Sequence, residues 1–156
     1  MSQSPGVPQG AAADISALVH AQASAWAAGD VDAVAGAFSD PCEFIVPGMR
    51  LTHPHEIRRA AETHRARYGD VRVDVQRIIS QGDSAAVEWT WTDTDRKTGA
   101  VARLQDAIVL RIAKGQLIYW REYLDCTAAH SSDPVPPGRR IEPAPNRHTQ
   151  SAGFRG

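Results

Sequence analysis

Two acidic side chains stand where a strand pattern calls for apolar ones. In the stretch Ile118-Tyr119-Trp120-Arg121-Glu122-Tyr123-Leu124-Asp125, alternation places Ile118, Trp120, Glu122 and Leu124 on one side and Tyr119, Arg121, Tyr123 and Asp125 on the other. Glu122 therefore shares a face with large apolar residues, where an ionised carboxylate is costly unless it is paired or neutralised. The preceding strand pattern runs from Val101 to Ile112 and turns back at Ala113-Lys114-Gly115. Parity across so short a hairpin puts Leu104, Asp106, Ile108 and Leu110 on the face of Glu122. Asp106 then lies directly or diagonally opposite Glu122, roughly 5–8 Å away between Cβ atoms. One hairpin further back, across the turn Asp95–Gly99, Trp89, Trp91 and Asp93 join the same face, with Trp89 near Asp106.

Two carboxyls close together in an apolar surround cannot both ionise cheaply, so one of them keeps its proton near neutral pH. A protonated and an ionised acid in one cavity can give and take protons in the same turnover. Either Asp106 or Glu122 can be the acid. Asp93, close to a turn, reads as solvated. The purely structural alternative is that these carboxyls bond Gln22, a tyrosine or a tryptophan N–H and serve only to fix the fold. The tryptophans belong mainly to the core, with two facing a cavity where they would select a flat or bulky apolar ligand. The chain carries no glycine elbow around a Ser or Cys, no phosphate-cradling glycine loop and no dinucleotide fingerprint. Cofactor-free acid/base chemistry is what remains.

These acids need elements to position them. Asp14 can cap a first helix to about Ala28, with Ile15, Leu18, Val19, Gln22 and Trp26 on one stripe and His20 off it, as a surface histidine. Gln22 is the polar member of that stripe, set either to bond a neighbouring element or to line a cavity. Gly29-Asp30 ends this helix and caps a short second one, whose apolar face is Val31, Val34, Ala35 and Phe38 and which stops at Asp40-Pro41. A strand from Cys42 to Val46 and a turn at Pro47-Gly48 follow, then a third helix from Thr52 and Pro54 to about Tyr68. His53 and His55 flank its start without the third ligand a metal site requires. From Val71 the period changes to two, giving a strand through Val75, a turn at Gly82-Asp83, and strands Ala85–Thr94 and Val101–Ile112 before the last one. Helices first and long antiparallel strands afterwards is an α+β pattern, with the helices covering one face of a curved sheet.

The 156 residues make one domain, residues 12–128, between an arm (1–11) and a Pro-rich tail (129–156), both expected to be flexible. A net charge of −1 with scattered basic residues predicts no nucleic-acid partner and no polybasic membrane patch. Cys42 and Cys126 fit no metal or redox spacing. Without a signal-peptide pattern or a run of roughly 20 apolar residues, the expectation is a soluble cytoplasmic protein.

Trp26-Ala27-Ala28-Gly29-Asp30 followed by Phe38, then Phe44 to Gly48, and Lys114-Gly115 through Trp120-Arg121-Glu122-Tyr123-Leu124-Asp125 make the chain resemble the SnoaL-like branch of the nuclear transport factor 2-like superfamily. The resemblance covers about Ala12 to Thr127. It implies a cone-shaped α+β fold, a curved sheet wrapped on three N-terminal helices around a pocket, and a homodimer through the outer sheet face. Relatives include polyketide cyclases, ketosteroid isomerases, limonene-type epoxide hydrolases and binding modules without activity. Carried over by position, Glu122 matches an aspartate of the epoxide hydrolases' closing strand, while Trp89-Thr90-Trp91 supplies neither charge of their Arg-x-Asp. Gln22, Val46 and Ile108 stand where the steroid isomerases keep a tyrosine, a base and a second acid. Asp106 lies two residues from the cyclases' pocket aspartate, on the same face. The expectation is a cofactor-independent enzyme acting on an apolar small molecule, with Asp106 and Glu122 catalytic and Gln22, Trp26, Phe44, Trp89, Trp91, Ile108 and Trp120 contacting substrate. The competing class is a ligand-binding or dimerisation module of the same fold.

Overall fold

The computed structural model describes residues 9–124. Most of the predicted N-terminal arm, the whole C-terminal tail, Asp125 and Cys126 lie outside the described residues. Helix α1 (Gln9–Ala28) begins five residues before Asp14, so Asp14 is interior to the helix and not its cap. The apolar stripe sends Ile15 and Val19 into the core, fully buried. Helix α2 (Val31–Gly36) is capped by Asp30, whose Oδ1 accepts from Ala33 N at 3.0 Å, and buries Val31, Val34 and Ala35. Helix α3 (Pro54–Arg67) starts with Pro in its first turn, and Glu56 Oε2 reaches back to accept from the N–H groups of Thr52 (2.8 Å) and His53 (3.1 Å).

Six strands complete the domain: β1 (Phe38–Val46), β2 (Met49–Leu51), β3 (Tyr68–Gln81), β4 (Ser84–Asp95), β5 (Val101–Ala113) and β6 (Gln116–Leu124). They form one curved sheet in the order β2-β1-β6-β5-β4-β3. Every pairing is antiparallel except β1 with β6, which is parallel. The β5–β6 hairpin closes through Lys114 and Gly115, both at positive φ (51° and 76°), the conformation that a two-residue turn of this twist demands.

Two elements depart from the sequence pattern. Phe38 and Asp40-Pro41 belong to β1 and do not end α2. The proline is tolerated because the β1–β6 register shifts between Phe38 and Glu43, so its missing N–H falls in an irregular stretch. The short strand β2, only three residues long, had no periodic signal to reveal it.

The long strands show how one face is made. Along β5, Asp106, Ile108, Leu110 and Ile112 are buried while Ala107, Val109 and Arg111 are exposed. Val87 and Trp89 of β4 and Leu117 and Trp120 of β6 extend that buried face, and α1 and α3 pack across it. Fully burying one of these aliphatic side chains contributes roughly 1.5–3 kcal/mol, so the inner face anchors the sheet to the helices.

Candidate active site

Toward the end of β6 the inner face of the sheet stops being filled. A cavity of about 400 Å³ opens there, walled by Trp26, Phe44, Val46, Met49, Ile57 and Leu104 among its apolar residues. Its polar lining is His64, Tyr68, Asp93, Asp106 and Glu122. A larger hollow, about 570 Å³, borders the outer sheet face through Gln76, Glu88, Arg103 and Gln105, and of the two central carboxyls only Asp106 touches it.

The register explains why the acids meet. Asp106 pairs with Leu124, Ile108 with Glu122 and Leu110 with Trp120, so Asp106 and Glu122 are diagonal neighbours on one face of the β5–β6 ladder. Trp89 lies directly opposite Asp106 across β4–β5. Its indole Nε1–H donates to Asp106 Oδ2 at 2.9 Å, and Trp120 Nε1–H donates to Glu122 Oε1 at 2.8 Å. Each carboxyl is thus fixed through one oxygen by a tryptophan two residues away or on the neighbouring strand. In Asp106, only 5% exposed, Oδ1 is buried and has no hydrogen-bond partner.

Burial dominates the electrostatics of both acids. Loss of solvent pushes Glu122 up from 4.5 to about 7, against the lowering pull of the Trp120 N–H and with a further raising contribution from Asp106. Desolvation likewise raises Asp106, partly offset by the Trp89 N–H. Both shifts favour the neutral acid, as expected of carboxyls facing a greasy interior.

Asp93 corrects the sequence expectation. It is 6% exposed, not solvated, because β4 continues beyond it to Asp95 and α3 lies over it. Its Oδ2 accepts from Trp91 Nε1 at 2.8 Å and lies 3.2 Å from His64 Nε2. The His64 ring stacks on Tyr68 at 4.8 Å and meets Trp26 and Trp91 edge-on at 5.8 and 5.3 Å. His64 and Tyr68 were not singled out from sequence as site residues. The signal that could have found His64 was its place on the inward stripe of α3 with Ile57, Ala60 and Ala61.

Of the other residues expected at the site, Trp26, Phe44 and Trp91 line the cavity. Trp89, Trp120 and Ile108 lie beneath it, at 1%, 1% and 0% exposure, and support it. Gln22 is placed elsewhere: its Nε2 donates to Val34 O at 3.0 Å, tying α1 to α2 within the core. Among the described residues no group of three or more His, Cys, Asp and Glu side chains could hold a metal ion. His53 and His55 stack on each other, and His53 Nδ1 lies 2.7 Å from Asp40 Oδ1 on the surface.

The family model described as SnoaL-like domain matches residues 19–120. The chain belongs to that family. Among solved structures, a SnoaL-like fold of the same kind occurs in a protein from Jannaschia sp. CCS1 assigned by likeness as a SnoaL-like polyketide cyclase (TM-score 0.68, 15% identity, covering 88% of this chain and 99% of that one). It occurs also in an M. tuberculosis LEH-like epoxide hydrolase (TM-score 0.66, 20% identity, 74% and 86% covered). A third is a hypothetical protein with a ketosteroid isomerase-like fold from Catenulispora acidiphila, solved in complex with trimethylamine (TM-score 0.67, 17% identity, 79% and 90% covered). At such identities the likeness is one of fold. No curated protein matches the chain. No helix among the described residues is long and apolar enough to cross a membrane.

Proposed function

We propose that this SnoaL-like domain is a cofactor-independent enzyme that transforms an apolar small molecule by general acid/base catalysis, in the manner of a cyclase, isomerase or epoxide hydrolase. The observation that carries this reading is the pair Asp106 and Glu122, brought to one cavity by the β5–β6 register and each held by an indole N–H. Glu122, half-titrated at about 7, is the proton donor. Asp106 is the acceptor, through its unpaired Oδ1. An acid whose pKa lies near the working pH gives up and regains its proton with little cost, which is what general acid catalysis requires. The surrounding Trp26, Phe44, Trp91 and Leu104 exclude water and hold the hydrocarbon part of the substrate. The protein is proposed to work as a homodimer in the cytoplasm.

The test is turnover by the parent, D106N and E122Q of three substrate types: an epoxide, a linear polyketone able to close by aldol addition, and an unconjugated enone. Each substitution keeps an oxygen to accept the indole N–H and removes the proton exchange. The expected result is loss of at least about 100-fold in kcat for both variants on whichever substrate the parent converts, with native circular dichroism. Variants that turn over as the parent does would overturn the proposal in favour of a binding module.

A further inference from the structure

The cavity has a one-sided charge inventory. Its titratable lining comes from every surrounding element: His64 from α3, Tyr68 from β3, Asp93 from β4, Asp106 from β5 and Glu122 from β6. Three are acids, and among the described residues none of those lining the cavity is Lys or Arg. An anionic ligand, a carboxylate or a phosphate, would meet carboxyls with no cation to receive it. A neutral hydrocarbon would fit the walls and leave the buried Asp106 Oδ1 without a donor. An acceptor oxygen of this kind, in a residue only 5% exposed, is costly to leave unpaired and specifies what the ligand must bring to it. The aromatic walls agree with that requirement. Trp26 and Trp91 meet at 5.5 Å with their planes 72° apart, so the two indoles form a corner of the cavity. Aromatic faces attract cations, most strongly where water is excluded.

We propose that the substrate is an apolar molecule bearing a basic nitrogen, bound as the protonated amine, with its N–H donated to Asp106 Oδ1 and its hydrocarbon part against Trp26, Phe44 and Trp91. This rests on the acid/base reading of the same cavity and names its substrate class. The ammonium pairs with the carboxylate of Asp106, and Glu122 keeps the proton that the acid/base reading requires of it.

The test is calorimetric titration of the parent chain at pH 7 with three probes of one shape: N,N-dimethylbenzylamine, the neutral isobutylbenzene and the anionic phenylacetate. The amine is expected to bind about 10- to 150-fold more tightly than isobutylbenzene, the gain of one hydrogen bond to a charged group. Phenylacetate is expected to bind more weakly than either. D106N should remove most of the preference for the amine. Isobutylbenzene binding within threefold of the amine, or phenylacetate binding equally well, would overturn the inference. These readouts need no turnover, so the acid/base proposal can survive their failure, and loss of that proposal shows instead in the kcat values of D106N and E122Q.

Discussion

Replacing Glu122 by Gln should make the protein's stability less dependent on pH, by an amount that follows from the structure. The carboxyl is moved from an ordinary 4.5 to about 7 by burial. At roughly 1.4 kcal/mol per pH unit, this corresponds to about 3 kcal/mol. The folded chain holds this proton more tightly than the unfolded chain does, so below pH 4.5 both states are protonated and the group costs nothing. As pH rises from 4.5 through 7 the unfolded state ionises first and stability falls, and above that window the loss levels off. Glutamine cannot ionise, yet its side-chain oxygen can still accept from Trp120 Nε1–H, so the packing survives. Urea denaturation followed by tryptophan fluorescence, on parent and E122Q at about pH 4 and about pH 8, isolates the effect, because the other titrating groups cancel in the difference. The stability of E122Q relative to the parent should rise by up to about 3 kcal/mol between the two pH values. A difference that changes by less than about 1 kcal/mol would refute the claim that the folded chain holds the Glu122 proton more tightly than the unfolded one.

Other expectations follow from single contacts. Gln22→Leu removes the donor to Val34 O and should cost about 1–3 kcal/mol in urea denaturation while leaving the affinity of cavity ligands unchanged, since the amide lies off the cavity. Asp93→Asn weakens the acceptor shared by Trp91 Nε1 and His64 Nε2, and should cost about 1–2 kcal/mol of stability by the same assay.

The alternation of Trp120-Arg121-Glu122-Tyr123 aims Glu122 inward, but the two-residue turn alone, with Ala113 opposite Gln116, would pair Asp106 with Tyr123 and send the two acids to opposite faces. The register shift between Arg111 and Ile112 brings them to one face, and no residue pattern announced it. Parity across the turn from Asp95 to Gly99 set Trp89 opposite Asp106. What the sequence concealed was set by contacts distant along the chain. Asp93 resembled a solvated turn residue until α3 brought His64 over it. Gln22 shared a stripe with Trp26, yet one turn along the helix separates a side chain that meets α2 from one that meets the cavity. Asp40-Pro41 has the composition of a helix stop and sits in a strand, because an irregular register spares the proline a ladder bond. Which indoles line the hollow and which lie under it depends on how far the sheet curves, and residue types do not encode that locally.

The central claim is that two carboxyls share an apolar cavity and that one of them stays protonated near neutral pH. Its most direct test is a carbon NMR titration of the side-chain carboxyls in protein labelled at Asp and Glu, with D106N and E122Q to assign the two signals. Glu122 should titrate with a midpoint near 7 in the parent, and at a lower pH in a D106N chain that keeps its fold, because Asp106 contributes to the rise. Midpoints for both residues at or below about 4.5, the range of ordinary carboxyls, would contradict the account.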